Sequence, residues 1–253
     1  MKCSCCGEEV GNVAICPICG SGMPVAPAAP NAAVSQDSEI HMSGADLFDR
    51  NVNGVLELST RKGLSFYSGS GYLINGQGYA ITNSHVVVID GKVCDDCTAK
   101  IAGEKVSVEV IAVGTKHDFC SNQDLAVIKL HRMPVKAKPV CFGDSSRVRT
   151  GERVYIIGNS LGQGTCITSG IISDNNRNGQ FMYDSATNGG NSGGPVFNED
   201  GCVIATHVRG TPDRQGGKAQ GMNGGIPSIY AMKMLDQAGI KYDVETENGG
   251  NRR

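Results

Sequence analysis

Residues 187–195 read TNGGNSGGP, one serine set among four glycines. A simple turn requires far less glycine than this. Glycine lets a backbone bend tightly and brings its N–H groups close to a reacting carbonyl, although a flexible Gly/Asn/Ser loop has the same letters. A serine hydroxyl is a poor nucleophile until a base takes its proton, and that base needs a group to orient it. His85, in ITNSHVV, follows the apolar run Tyr79–Thr82, and Asp124, in QDLAVIKL, stands just before another apolar run. Any one of these residues has an ordinary surface or core explanation. Three of them, each at the edge of a strand and in the order His, Asp, Ser, point to nucleophilic acyl transfer.

The cysteines carry a second kind of chemistry. Cys3-x-x-Cys6-Gly7 and Cys16-x-x-Cys19-Gly20 are two knuckles nine residues apart. Each pair grips one side of a tetrahedral ion, and the glycine after it lets the chain turn around the sulfurs. The pattern is that of a zinc ribbon, with too little core to fold without its metal. Free thiols on a disordered tail are the alternative. A second set joins Cys94-x-x-Cys97 to His117-x-x-Cys120. Three sulfurs and an imidazole suit a closed zinc site; unrelated loop thiols, a Cys94–Cys97 redox pair or a disulfide to Cys120 remain open. Cys141, Cys166 and Cys202 lie in or near apolar text and read as small core residues.

The rest of the 253-residue chain must position these groups. It holds 35 glycines, no tryptophan and few aromatics, which suits many short strands joined by tight turns. A formal charge of −2, with only Lys2 basic among the first twenty residues, argues against a nucleic-acid or membrane partner. The opening MKCSCCGEEV has no apolar core of a secretory signal, and no later run reaches the length of a membrane span. With cysteines paired two residues apart, the reading is a soluble protein of a reducing compartment, the cytoplasm. Residues 1–20 form the ribbon and 21–42 a Pro/Ala-rich linker. From about Ala45 to Tyr230 the text is short β-branched runs punctuated by glycine, and only Ser228–Ala238 has helical spacing.

Five ordered segments resemble the HtrA/Deg branch of trypsin-like serine proteases: SGSGYLINGQGYAITNSHVV, QDLAVIKL, the stretch from GDSSRV to SGIIS, GNSGGPVFNEDGCVIA and GMNGGIPSIYAMKMLDQ. The resemblance implies an all-β fold, with two antiparallel six-stranded barrels and a C-terminal helix over residues 43–240, and a disordered tail at 241–253. It implies a serine endopeptidase acting on unfolded or damaged proteins, with His85, Asp124 and Ser192 as the triad and the amides of Gly190 and Ser192 as the oxyanion hole. By the same alignment Ala186, Thr187 and Gly224 line the substrate pocket. With Ala186 at its base, cleavage is expected after uncharged, mainly aliphatic residues. His207 falls near the cleft and is given a structural role. Catalysis is expected to need no cofactor, zinc being structural. The expected partners are polypeptide substrates, a protein bound by the ribbon and, from the family's trimers, further copies of the chain. The usual PDZ domain is not expected, since the chain stops soon after the helix, and Leu58 to Ser70 leaves room only for a short hairpin.

Overall fold

The computed structural model describes residues 42–114, 122–212 and 218–245. A helix, α1 (Gly44–Asn51), leads into the first set of strands: β1 (Val55–Lys62), β2 (Ser65–Leu73) and β3 (Tyr79–Thr82). A single turn, α2 (Ser84–Val87), then precedes the small pair β4 (Val88–Ile89) and β5 (Lys92–Val93). β6 (Asp96–Ile101), β7 (Glu104–Val113) and β8 (Ala126–Leu130) complete the first half. The second half holds β9 (Arg153–Asn159), β10 (Thr165–Arg177), β11 (Gln180–Tyr183), β12 (Pro195–Phe197), β13 (Val203–Pro212), β14 (Lys218–Pro227) and α3 (Ser228–Gln237).

Each half closes on itself. The first barrel runs β1-β2-β3-β8-β7-β6 and the second β10-β11-β14-β13-β12-β9. All pairings in both barrels are antiparallel. The expected all-β architecture with its final helix is therefore the observed one. Closure removes the unpaired edges that an open sheet exposes. β1 and β2 are joined by a tight hairpin at Gly63, whose φ of +57° suits glycine, so the short connection expected there is present.

Alternation of the strand residues fills the first barrel with Leu56, Leu58, Leu73, Ala80, Val106 and Ile128. The second holds Val154, Ile156, Ile172, Phe181, Tyr183 and Val196. The largest cluster lies where the barrels meet: Tyr72, Ile81 and Leu125 come from one side, and Ile157, Phe197, Val203 and Ile226 from the other. Complete burial of such a side chain stabilises by about 1.5–3 kcal/mol, so this seam fixes the edge at which strand-end loops from both barrels converge. Phe142, in the connection between barrels, packs edge-on against Tyr72 and Tyr242 at centroid distances of 6.0 and 5.4 Å.

Three expectations need correction. Residues 44–51 form a helix inside text read as β: Ser43 caps it by accepting from the Asp46 N–H at 3.1 Å, and Leu47 is fully buried. The disordered tail does not begin at residue 241. Tyr242 is buried, Phe142 N–H donates to Asp243 O at 2.9 Å, and Glu245 N–H donates to Phe142 O at 2.8 Å. Cys141 and Cys202 are joined as a disulfide across a 61-residue separation, where two core thiols were expected. Sixty intervening residues gave the letters no way to show that the two Cα atoms lie 5.2 Å apart. Cys166, expected in the core, is a free thiol and only half-buried.

Candidate active site

The end of β3 brings a histidine to the mouth of the first barrel. Extended chain ends at Thr82, and the single turn α2 starts after Asn83, turning His85 out of the wall while Val86 and Val87 pack back into the core. Asp124, fully buried, stands two residues before β8. Its Oδ2 lies 2.6 Å from His85 Nδ1, and its Oδ1 accepts the His85 backbone N–H at 2.9 Å. One carboxylate thus fixes both the ring and the main chain of the histidine. The segment itself is held in place: Asn83 Nδ2 donates to Asp124 O at 2.8 Å and Ser84 Oγ to Leu125 O at 2.6 Å. A buried carboxylate needs such partners to stay charged.

The second barrel supplies the serine. Residues 188–191 form a turn closed by Asn191 N–H donating to Asn188 O at 3.2 Å. Gly190 takes φ +94° at its third position, which a type II turn demands of glycine. A Cβ there would run into the Asn159 carbonyl, so no other residue fits. Ser192 follows, half-buried, with its Oγ donating to Val208 O at 2.8 Å. Neither the Gly190 nor the Ser192 amide donates to a backbone carbonyl among the described residues.

Ser70 ties the two barrels together at this point, and the sequence reading missed it. It lies fully buried on β2. Its N–H donates to Ser192 O at 2.8 Å, its Oγ donates to Gly190 O at 2.7 Å, and the same Oγ accepts Asn159 N–H at 2.8 Å. The nucleophile turn is therefore pinned by a side chain from the opposite barrel. The only trace in the sequence was the glycine-rich SGSG, which marks close backbone approach without naming the partner.

Of the residues expected in the pocket, Thr187 is buried with its Oγ1 donating to Asn223 Oδ1 at 2.6 Å, whereas Ala186 is exposed. Gly224 is buried, and its carbonyl accepts from Tyr183 OH at 3.1 Å. The carboxylate of Asp184 accepts Ile171 N–H at 2.7 Å and so turns toward β10.

The zinc-ribbon residues Cys3, Cys6, Cys16 and Cys19 lie outside the described residues, as do His117 and Cys120 of the second set. Cys94 and Cys97 are described. The hydrogen bond from Cys97 holds the Cys94 thiol down at about 7, while the same bond and burial push Cys97 far up. Among the described residues no three metal-binding side chains cluster, and no helix is long and apolar enough to cross a membrane.

Two closed barrels that meet at a carboxylate-bound histidine and a serine on a glycine turn define a trypsin-like protein. The Trypsin-like peptidase domain family matches residues 69–205, and the chain belongs to that family. It is 35% identical over 184 residues to a probable periplasmic serine endoprotease, DegP-like, of Brucella suis, and 34% identical over 177 residues to its counterpart in Chlamydia pneumoniae. These alignments cover 70% and 67% of this chain and 34% of each relative, so the chain spans about a third of their length. Among solved structures it is similar to the HtrA-type protease AlgW with tripeptide, at 28% identity and a TM-score of 0.65, over 78% of this chain and 64% of that one. A serine endoprotease from Yersinia pestis matches at 25% identity and a TM-score of 0.64, over 79% and 67%. The expected cytoplasmic location is corrected by these relatives, which are named periplasmic.

Proposed function

We propose that this chain is a serine endopeptidase that hydrolyses unfolded or damaged polypeptides through an acyl-enzyme. The observation that carries the reading is the grip of Asp124 on both His85 Nδ1 and the His85 N–H, opposite a serine on a glycine turn. With Nδ1 engaged by the carboxylate, the other ring nitrogen, Nε2, is left in the tautomer that accepts a proton. Ser192 Oγ passes its proton to Nε2 and attacks the scissile carbonyl. Asp124 then stabilises the imidazolium without itself becoming protonated. The amides of Gly190 and Ser192 receive the oxyanion, a role in which one donor is worth about 3 kcal/mol. The imidazolium returns its proton to the leaving amine, and water repeats the sequence on the ester.

In this reading Ser70 and Asn159 are positioning residues, since they hold the turn that carries the oxyanion donors. Thr187 and Gly224 belong to the wall of the substrate pocket, with Ala186 at its rim. A fluorophosphonate probe reacts only with an activated serine and supplies the test. We expect stoichiometric labelling of the wild-type chain at Ser192, none of Ser192→Ala, and parallel loss of casein hydrolysis. Undiminished hydrolysis by folded Ser192→Ala would remove the assignment.

A further inference from the structure

Cys94 and Cys97 are two thiols for which the proposed reaction has no task. Both are free, Cys94 half-buried and Cys97 only 5% exposed. Cys97 belongs to β6, where it lies opposite Thr60 of β1, and it packs in the core cluster of the first barrel with Val86, Val87 and Val88. Cys94 follows β5 and packs against the same cluster. The Cys97 thiol hydrogen-bonds to that of Cys94, so the two sulfurs are in contact across Asp95 and Asp96.

The backbone between them is clamped by the tip of the β1–β2 hairpin. Asp95 N–H donates to Arg61 O at 2.8 Å, and the Asp95 carboxylate accepts Gly63 N–H at 2.8 Å and Lys62 Nζ at 2.9 Å. Lys62 Nζ also donates to Val93 O at 2.9 Å, so the residues on either side of Cys94 are both held. With the chain fixed, joining the sulfurs removes little conformational entropy beyond what folding has already removed.

Unequal exposure gives the two thiols unequal roles. Thiol–disulfide exchange begins when an accessible thiolate attacks a disulfide sulfur, and a neighbouring thiol then resolves the mixed disulfide. Cys94, open to solvent on one side, suits the first step. Cys97, shielded and in contact with it, suits the second.

The same two positions support the turn that carries the catalytic histidine. Thr60, the ladder partner of Cys97, donates from Oγ1 to Val86 O at 3.0 Å, and Cys94 N–H donates to Val87 O at 2.8 Å. Those carbonyls are the two that follow His85 in α2. A disulfide brings its sulfurs to about 2 Å, well inside hydrogen-bond contact. Cys97 is anchored in the core, so Cys94 makes most of that movement and its amide draws on the Val87 carbonyl.

We propose that Cys94 and Cys97 are a redox-active dithiol that exchanges with small-molecule disulfides, and that its closure displaces the turn bearing His85. The Cys94 thiolate attacks one sulfur of R–S–S–R, forming a mixed disulfide and releasing one thiolate. The Cys97 thiolate attacks the Cys94 sulfur, closing the Cys94–Cys97 bond and releasing the second. The protein gives up two electrons and two protons, and the oxidant leaves as two molecules of R–SH. The dithiol is independent of the endopeptidase reading; its effect on hydrolysis rests on that reading.

The test uses the full chain and an uncharged oxidant, bis(2-hydroxyethyl) disulfide. The tryptic peptide VCDDCTAK, residues 93–100, holds both thiols and no other cysteine, so it reports on this pair apart from Cys141–Cys202. After alkylation of the remaining thiols, that peptide is expected to be unalkylated and lighter by two hydrogens than the dithiol form. Cys97→Ser should trap a hydroxyethyl mixed disulfide on Cys94, whereas Cys94→Ser should leave Cys97 unmodified. Casein hydrolysis by the wild-type chain should fall about 10- to 100-fold on oxidation, since a misplacement of about 1 Å can cost 10²-fold, and recover when a thiol reductant is added. The Cys94→Ser/Cys97→Ser double variant should show no such response. Thiols that stay alkylatable overturn the inference, and so does exchange that begins only after a chelator strips zinc from the chain. An oxidised pair with unchanged hydrolysis, or an equal response in the double variant, overturns the link to His85. An oxidised pair in a chain that neither hydrolyses casein nor labels at Ser192 in either state instead removes the endopeptidase reading and leaves the dithiol in place.

Discussion

The two barrels contribute to the cleft by different means. The first supplies His85 and Asp124 through side-chain hydrogen bonds made within that barrel, from Asp124 to the His85 ring and main chain and from Asn83 and Ser84 to the Asp124 and Leu125 carbonyls. The second supplies Ser192 from a glycine turn that borrows its support across the seam, from Ser70. A base must keep one tautomer and one orientation, and a rigid buried carboxylate secures both. A nucleophile flanked by oxyanion donors needs a backbone conformation that only glycine adopts at Gly190, and such a backbone is held through its carbonyls and amides. Side-chain chemistry thus dominates one half of the cleft and main-chain geometry the other.

Asp124→Asn should give the largest effect on the first barrel's share. The amide can still hold the ring, but it leaves the proton on the wrong nitrogen, and kcat is expected to fall by about 10⁴ with little change in KM. Steady-state kinetics on a variant with wild-type circular dichroism checks this; a loss below about tenfold would break the contrast. Gly190→Ala tests the second barrel. The strained turn and the blocked approach to the Asn159 carbonyl should displace the oxyanion donors, lowering kcat by about 10²–10³. If KM rises and kcat holds, the turn serves binding and main-chain geometry is not the second barrel's contribution.

The smallest effect on catalysis should come from the disulfide. Cys141 lies in the connection between barrels and Cys202 leads into β13, so the bond closes a long loop around the second barrel. Cys202→Ala is expected to lower stability by about 2–4 kcal/mol in urea unfolding and to leave kcat/KM near the wild-type value. An equal loss of activity at temperatures where the variant is folded would show that β13 needs the bond to present its part of the pocket.

The letters themselves carried the candidate triad and the strands that present it, because both depend on local signals. β3 was legible as Tyr79–Thr82 to the residue, and Ser228–Ala238 became α3 with one residue's difference, since periodicity and punctuation are properties of neighbouring residues. The glycines around Ser192 announced a special turn for the same reason. Ser70 was passed over because the three hydrogen bonds by which it pins the serine turn and Asn159 reach residues 89 or more positions away. The helix at Gly44–Asn51 was missed although Ser43 and Asp46 gave a local capping signal.

What the sequence determined by itself was the order of chemistry along the chain: a histidine, an aspartate and a serine, each placed at a strand edge. Closure of the barrels decided the rest. It set Cys141 beside Cys202, brought Ser70 under the nucleophile turn, and buried His207 against Tyr183. His207 and Asn223 leave the water only when antiparallel pairing of β11, β13 and β14 covers them. Burial turns a common side chain into a specific one, because inside the fold each hydrogen bond left unmade carries a cost that water would otherwise cover.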